Sequence, residues 1–135
     1  MACLDTTMLL DLAGRGGRRR QAAAEAKLRQ LEPDLPHSVT RFTVAELLVG
    51  LELADRPDRE RAEWDRILSR LQILEFDARA MRLYPQIFIY WRSLGRLPGV
   101  MDMLIASVAL AHGRRFVTHN LQHFQGIPGL QVESY

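Results

Sequence analysis

The sequence has one cysteine, Cys3, and this scarcity excludes several kinds of site. A lone thiol can form neither an intrachain disulfide nor a multi-cysteine metal site. Lysine is equally scarce, because Lys27 is the only one, so arginine carries nearly all the basic charge. Arginine matches the geometry of phosphate groups, yet it also serves surfaces and ion pairs. The composition therefore permits an RNA partner without indicating one.

Long apolar runs are also missing. The most apolar stretch, Val100–Ala111, contains Asp102 and is shorter than a membrane span. Asp5 comes too early for the apolar core of a signal peptide. The net charge of +2, from 18 basic and 16 acidic residues, is ordinary for a globular chain. We therefore expect a cytoplasmic protein with no membrane partner.

The 135 residues contain no repeat and no linker, and short apolar runs alternate with helical patterns. The predicted strands are Ala2–Leu4, His37–Thr40, Gln72–Phe76, Arg115–Thr118 and Leu130–Glu133. The predicted helices are Met8–Ala13, Arg18–Leu31, Thr43–Ala54, Asp58–Leu71, Ala78–Leu94 and Val100–His112. Alternation of this kind is typical of an α/β fold whose parallel sheet is covered on both faces. We predict one domain, residues 1–135, with a mainly parallel sheet of about five strands.

Polar residues follow several of the predicted strands. Asp5 comes directly after the first strand, and Glu46 lies early in the helix after the second. Thr118 and Asn120 lie at the end of the fourth strand, and Asp102 is near the start of an apolar helix. In open parallel sheets the functional crevice lies beyond the carboxyl ends of the strands. We therefore expect these side chains to converge at one edge of the sheet.

Each of these residues also has an ordinary structural explanation. Asp102 can be an N-cap or the partner of an arginine, since an unpaired carboxylate among apolar neighbours is costly. Asp5 occupies a common N-cap position, and Glu46 is one of several helical glutamates. Thr6 and Thr118 can be active-site hydroxyls or merely capping and strand residues. The residues taken singly leave these alternatives open.

Taken together, the acids predict a particular chemistry. Clustered carboxylates repel one another unless a cation neutralises them. Oxygen ligands without a cysteine or multi-histidine set favour Mg²⁺ or Mn²⁺ over zinc. Such an ion activates water and stabilises charge on a phosphoryl group, so a phosphodiester is the natural substrate. A phosphatase is the rival enzyme, but the sequence after Asp5 lacks the second aspartate that a haloacid-dehalogenase-type phosphatase needs.

The histidines add little to this prediction. His37, His112, His119 and His123 contain no pair at helical metal-binding spacing. His119 and His123 follow the fourth strand, where contact with substrate is conceivable, but the pattern favours a surface or packing role.

Several segments in this order resemble those of the PIN-domain ribonucleases, and specifically the VapC-type toxins of bacterial toxin–antitoxin pairs. The segments are Leu4-Asp5-Thr6, Thr43-Val44-Ala45-Glu46-Leu47-Leu48-Val49-Gly50-Leu51, Asp102-Met103-Leu104-Ile105-Ala106, Val117-Thr118-His119-Asn120, Phe124 and Ile127-Pro128-Gly129-Leu130. The likeness covers essentially the whole chain, and the ordered combination is far more specific than any one segment.

The resemblance implies a three-layer α/β/α fold and Mg²⁺- or Mn²⁺-dependent endonucleolytic cleavage of RNA. It implies that Asp5, Glu46 and Asp102 are acidic metal-site residues, with Thr6 and Thr118 as nearby hydroxyls. It also implies a homodimer and a cognate VapB-type antitoxin that docks across the active site, in a heterotetramer or larger assembly. The alternative of another class is a catalytically inactive PIN-like binding or repressor subunit.

The chain departs from the family pattern at the fourth acidic position. Relatives often have Asp where Asn120 stands, or Asp just before the phenylalanine, where His123 stands. An amide supplies an oxygen but no charge, so we expect weaker metal binding if Asn120 belongs to the site. The structural alternative is that Asn120 only caps the loop after the fourth strand. For the dimer, we expect Thr43–Ala54 and Asp58–Leu71 to expose apolar residues, including Trp64.

Overall fold

The computed structural model describes all of residues 1–135. Five short strands and six helices alternate along the chain. The strands are β1 (Ala2–Leu4), β2 (Ser38–Thr40), β3 (Gln72–Leu74), β4 (Arg115–Val117) and β5 (Val132–Glu133). The helices are α1 (Thr6–Leu12), α2 (Arg18–Leu31), α3 (Arg41–Glu52), α4 (Pro57–Leu68), α5 (Ala78–Ser93) and α6 (Val100–Ala111). Single 3₁₀ turns occupy Glu32–Asp34 and Leu121–His123.

The strands form one sheet in the order β3-β2-β1-β4-β5, and every neighbouring pair is parallel. In the register, Cys3 of β1 is paired with Ser38 on one side and Phe116 on the other. The chain moves outward from β1 through β2 to β3, then returns to the other side of β1 at β4. This reversal places a topological switch point between β1 and β4, where open α/β sheets form their crevice.

The two faces of the sheet bury different sets of residues, because successive strand side chains point to opposite faces. Cys3 and Phe116 belong to the core cluster that includes apolar residues of α5 and α6. Leu4 and Val117 belong to the other cluster, which includes residues of α1, α2, α3 and α4. The sheet is therefore the middle of three layers, which confirms the predicted α/β/α fold.

Some helices start one or two residues earlier than predicted, and a side-chain cap explains one of these shifts. The helix predicted from Thr43 starts at Arg41, because the Thr40 hydroxyl accepts the backbone N–H of Thr43 at 3.0 Å and makes Thr40 the N-cap. The helix predicted from Ala78 begins at that residue, because the Asp77 carboxylate accepts the Ala80 N–H at 2.9 Å and caps it. The helix predicted from Met8 begins two residues earlier, directly after Asp5.

One expectation about the apolar surface of α3 and α4 needs correction. Trp64 is buried, with 5% of its surface exposed, because it packs into the cluster shared by α1 to α4. The exposed apolar residues of α3 are Leu48 and Val49, and the exposed Leu53 follows them as the C-cap. None of the six helices combines the length and hydropathy needed to span a lipid bilayer.

Candidate active site at the carboxyl edge of the sheet

Asp5 lies at the switch point, directly after β1, and is held by hydroxyl groups. Its Oδ2 accepts a hydrogen bond from Thr118 at 2.7 Å and one from Thr7 at 3.2 Å. The same two hydroxyls accept backbone N–H groups of the loop after β4, from Asn120 at 2.9 Å and from His119 at 3.2 Å. The first turn of α1 and the loop after β4 are thus joined through one carboxylate.

The environment of Asp5 makes its negative charge costly. The residue is 4% exposed, and burial raises the pKa of its carboxyl from 3.8 to about 6. The hydroxyls of Thr118 and Thr7 oppose this pKa shift, and the charge of Asp102 adds to it. At the N-cap position of α1 the Asp5 side chain makes no capping hydrogen bond, so capping does not explain it.

Glu46 meets the same edge from the second turn of α3. Its Oε1 accepts the hydroxyl of Thr6 at 2.7 Å, across 40 residues of sequence. Thr6 directly follows Asp5, so the contact ties Glu46 to the segment that carries the buried acid. Glu46 is half-buried beside a recess of about 380 Å³ whose lining includes Thr6, Leu47 and Trp64.

Asp102 lies in the first turn of α6, and neither ordinary explanation for it holds. Gly99 occupies the N-cap, and no arginine lies within ion-pair distance of the carboxylate. Its partner is instead His123, whose Nδ1 is 2.5 Å from Oδ2. The start of α6 is also less buried than predicted, since Val100 and Met101 are exposed.

Asn120 lies between these groups. Its backbone N–H reaches Thr118, and its side-chain amide nitrogen lies 2.9 Å from Nδ1 of His123. It occupies the N-cap position of the turn Leu121–His123 without a side-chain capping bond, so the capping alternative has no support from its contacts.

The site is rich in carboxylates and poor in cations. No ion pair includes Asp5 or Glu46, and the only one at Asp102 is with His123. No three His, Cys, Asp or Glu side chains lie close enough to form a ready-made metal cluster. The sheet edge therefore brings the acids into one region without closing them around a common point.

Two residues of this region were missed or misjudged from sequence. Thr7 was not singled out, although it contacts Asp5; the doubled threonine after the first acid was the only available signal. His123 was expected on the surface or in packing, but its ring faces Asp102. His119 is exposed and lies beside Tyr135, with ring centroids 5.6 Å apart and ring planes tilted by 51°, which agrees with the expectation for it.

These features define a three-layer α/β/α protein with an acidic site at the switch point of its sheet. The family comparison agrees, since the PIN domain matches residues 2–129. The chain belongs to the PIN-domain family.

The curated relatives are of similar length and carry one kind of name. "Ribonuclease VapC2" of Rickettsia felis is 31% identical over 98 residues, 73% of each chain. "tRNA(fMet)-specific endonuclease VapC" of Salmonella typhimurium is 33% identical over 97 residues, 72% of this chain and 74% of that protein.

Solved structures extend the likeness over almost the entire chain. VapBC2 from Rickettsia felis, bound to a DNA fragment from its promoter, superposes with a TM-score of 0.87 at 25% identity, covering 99% and 98% of the two chains. DNA-bound VapBC from Salmonella typhimurium gives 0.83 at 26% identity, covering 99% and 98%.

Proposed function

We propose that the protein is a metal-dependent endoribonuclease toxin of the VapC type that cleaves RNA phosphodiester bonds and is neutralised by a VapB-type antitoxin. The observation that carries the proposal is Asp5, a buried carboxylate at the switch point, near Asp102 and without a cationic partner. The names of the relatives, a ribonuclease and a tRNA endonuclease, support the substrate class. The same proposal takes residues 1–135 as one PIN domain, because β1 and β5 draw both ends of the chain into one sheet. It also places the protein in the cytoplasm, where its proposed RNA substrate lies.

The donor set fits a hard divalent cation, Mg²⁺ or Mn²⁺. Asp5, Glu46 and Asp102 supply carboxylate oxygens, and the buried charge of Asp5 lacks the neutralising partner that such a group requires. A bound ion would supply an activated water and stabilise charge on the phosphoryl group. The three carboxylates would hold it, either directly or through water.

The chain's own hydroxyls orient these acids. Thr118 and Thr7 both donate to Oδ2 of Asp5, which favours its charged form and fixes its rotamer. Thr6 does the same for Glu46. Hydrogen bonds to charged groups are worth about 1.5–3 kcal/mol each. They therefore offset part of the cost of burying the Asp5 charge near that of Asp102.

Two recesses with arginine in their lining lie beside the loop that follows β4 and could take the backbone of RNA. One, of about 330 Å³, is lined by Arg19, Arg20, His119 and Tyr135. The other, of about 340 Å³, contains Arg96 and lies against His123. Arginine forks bind phosphate oxygens. Arg20 is already paired with Asp11 at 3.0 Å, so Arg19 and Arg96 are the forks proposed for RNA.

The antitoxin is proposed from the solved VapBC complexes, and the recess beside Glu46 supports it. An apolar segment lying there, over Leu47 and Trp64, would cover Glu46 and exclude RNA. We also propose a homodimer, in which the exposed apolar residues of α3 meet their copies around a two-fold axis. With antitoxin, this dimer gives a heterotetramer or a larger assembly.

A catalytically inactive binding or repressor subunit is the second candidate. The observations that favour it are the absence of a ready-made three-ligand cluster and the neutral Asn120 at the fourth position. Retention of Asp5, Glu46 and Asp102 favours the enzyme.

The test is cleavage of total RNA and of tRNA by metal-stripped protein, with Mg²⁺ or Mn²⁺ added back. We expect metal-dependent cleavage that falls by at least about 10²-fold in Asp102→Asn, because metal-assisted charge stabilisation supplies several kcal/mol. Glu52→Gln, an exposed helical glutamate outside the site, is the matched control and should cleave normally. RNA binding without cleavage under every metal condition would favour the inactive subunit, and hydrolysis of small phosphomonoesters alone would favour the phosphatase.

A further inference from the structure

His123 is the one histidine whose ring contacts an acid of the site. The 3₁₀ turn Leu121–His123 directs its ring at Asp102, with Nδ1 2.5 Å from Oδ2, and the Asn120 amide lies 2.9 Å from the same nitrogen. His123 and Asp102 remain partly open to solvent, with 44% and 25% of their side chains exposed. An ion can therefore approach them from outside.

The three groups do not make a consistent set of hydrogen bonds in this arrangement. Nδ1 of His123 can donate to Asp102 or accept from the Asn120 amide, but one ring nitrogen cannot do both. Rotating the amide by 180° brings its oxygen to the ring instead. The ring proton then has two possible positions. On Nδ1 it is donated to the oxygens of Asp102 and Asn120, and on Nε2 it leaves Nδ1 and these oxygens as three neighbouring acceptors. Only the second arrangement leaves a position that a cation can fill.

We propose, building on the proposed function, that Nδ1 of His123 binds the divalent ion together with Asp102 and the Asn120 amide oxygen, and that this nitrogen makes the site prefer Mn²⁺ to Mg²⁺. Neighbouring ligands on an octahedral ion lie about 3 Å apart. The contact between His123 and Asp102 would therefore lengthen by about half an ångström, and the ring would turn so that the Nδ1 lone pair faces the ion instead of Oδ2.

The preference follows from ligand chemistry. Mg²⁺ selects oxygen ligands in near-ideal octahedral geometry, whereas imidazole nitrogen suits the first-row transition metals better. A neutral ring adds no negative charge to the site, so the site attracts Mg²⁺ less strongly than one built from carboxylates alone. The imidazole nitrogen strengthens the binding of Mn²⁺ but adds little to the binding of Mg²⁺, so the site prefers Mn²⁺.

The test reads the ion and its ligands directly. Mn²⁺ is added to metal-stripped protein, its binding is measured from the free-ion signal in electron paramagnetic resonance, and pulsed spectra are recorded for ¹⁴N coupling. Mg²⁺ is then titrated as a competitor. His123→Asp replaces the imidazole with a carboxylate. His119→Gln is the matched control, since it removes a nearby exposed imidazole that does not contact Asp102.

We expect ¹⁴N coupling in the unmodified protein and in His119→Gln, and none in His123→Asp. The Mg²⁺ concentration that displaces half of the Mn²⁺ should fall by about tenfold or more in His123→Asp. Mn²⁺ bound without ¹⁴N coupling, with unchanged competition, would overturn the nitrogen ligand and leave His123 as a hydrogen-bond donor that positions Asp102. In that case metal-dependent RNA cleavage would still support the proposed function. Absence of both Mn²⁺ binding and metal-dependent cleavage would overturn the two together.

Discussion

Replacing Asp5 with asparagine should stabilise the metal-free protein while removing its activity. Burial raises the pKa of Asp5 from 3.8 to about 6, so the folded state binds this proton more tightly than the unfolded chain does. The folded protein therefore loses stability as the pH rises from about 4 to about 6, and the loss is complete above that range. Two pKa units correspond to about 3 kcal/mol.

The neutral amide of Asp5→Asn avoids this cost, although its NH₂ group must find a partner in a buried site. We expect a net gain of about 1–3 kcal/mol at pH 8 and little or none at pH 4. For a chain of this size, 1 kcal/mol shifts the melting temperature by about 3–5 °C. The gain at pH 8 is therefore measurable.

The assay is thermal unfolding of both proteins in a metal chelator from pH 4 to pH 8, repeated with Mn²⁺. The difference in stability should grow with pH, and Mn²⁺ should stabilise the unmodified protein more than Asp5→Asn. A variant that is less stable at every pH would refute the reasoning. It would mean that Asp5 stabilises the fold as a cap or through its hydroxyl partners rather than straining it.

Three further predictions follow from individual contacts. Thr118→Val removes the 2.7 Å hydroxyl donor to Asp5, so the pKa of Asp5 should rise and the acid limb of the pH–cleavage profile should move up by about one pH unit. A profile that keeps its position would exclude Asp5 as the titrating group. Asn120→Asp adds a charge next to His123 and Asp102, so less Mg²⁺ should be needed for half-maximal cleavage; coincident metal titrations would remove Asn120 from the site. Leu53→Glu puts a charge in place of an apolar side chain that is 81% exposed, so sedimentation should show that the dimer dissociates to monomer. If the unmodified protein is already a monomer, the proposed interface is contradicted.

The sequence by itself determined the parts of the molecule that depend on local patterns. The alternation of short apolar runs with helical periods predicted the strands and helices, and their ends shifted by a few residues where caps such as Thr40 intervene. The acids were found because a carboxylate after a buried strand, or within an apolar helix such as that of Asp102, needs a reason to be there. The resemblance to PIN-domain proteins then supplied their common role.

Only the tertiary structure decided which side chains face one another. The strand order places β1 between β2 and β4, and this order brings Thr118 to Asp5 across 113 residues. The contact between His123 and Asp102 depends on a 3₁₀ turn and on how α6 packs, and neither leaves a periodic signal in the sequence. Trp64 was misjudged for the same reason. Local propensity sets which face of a helix is apolar, but burial depends on which distant element covers that face.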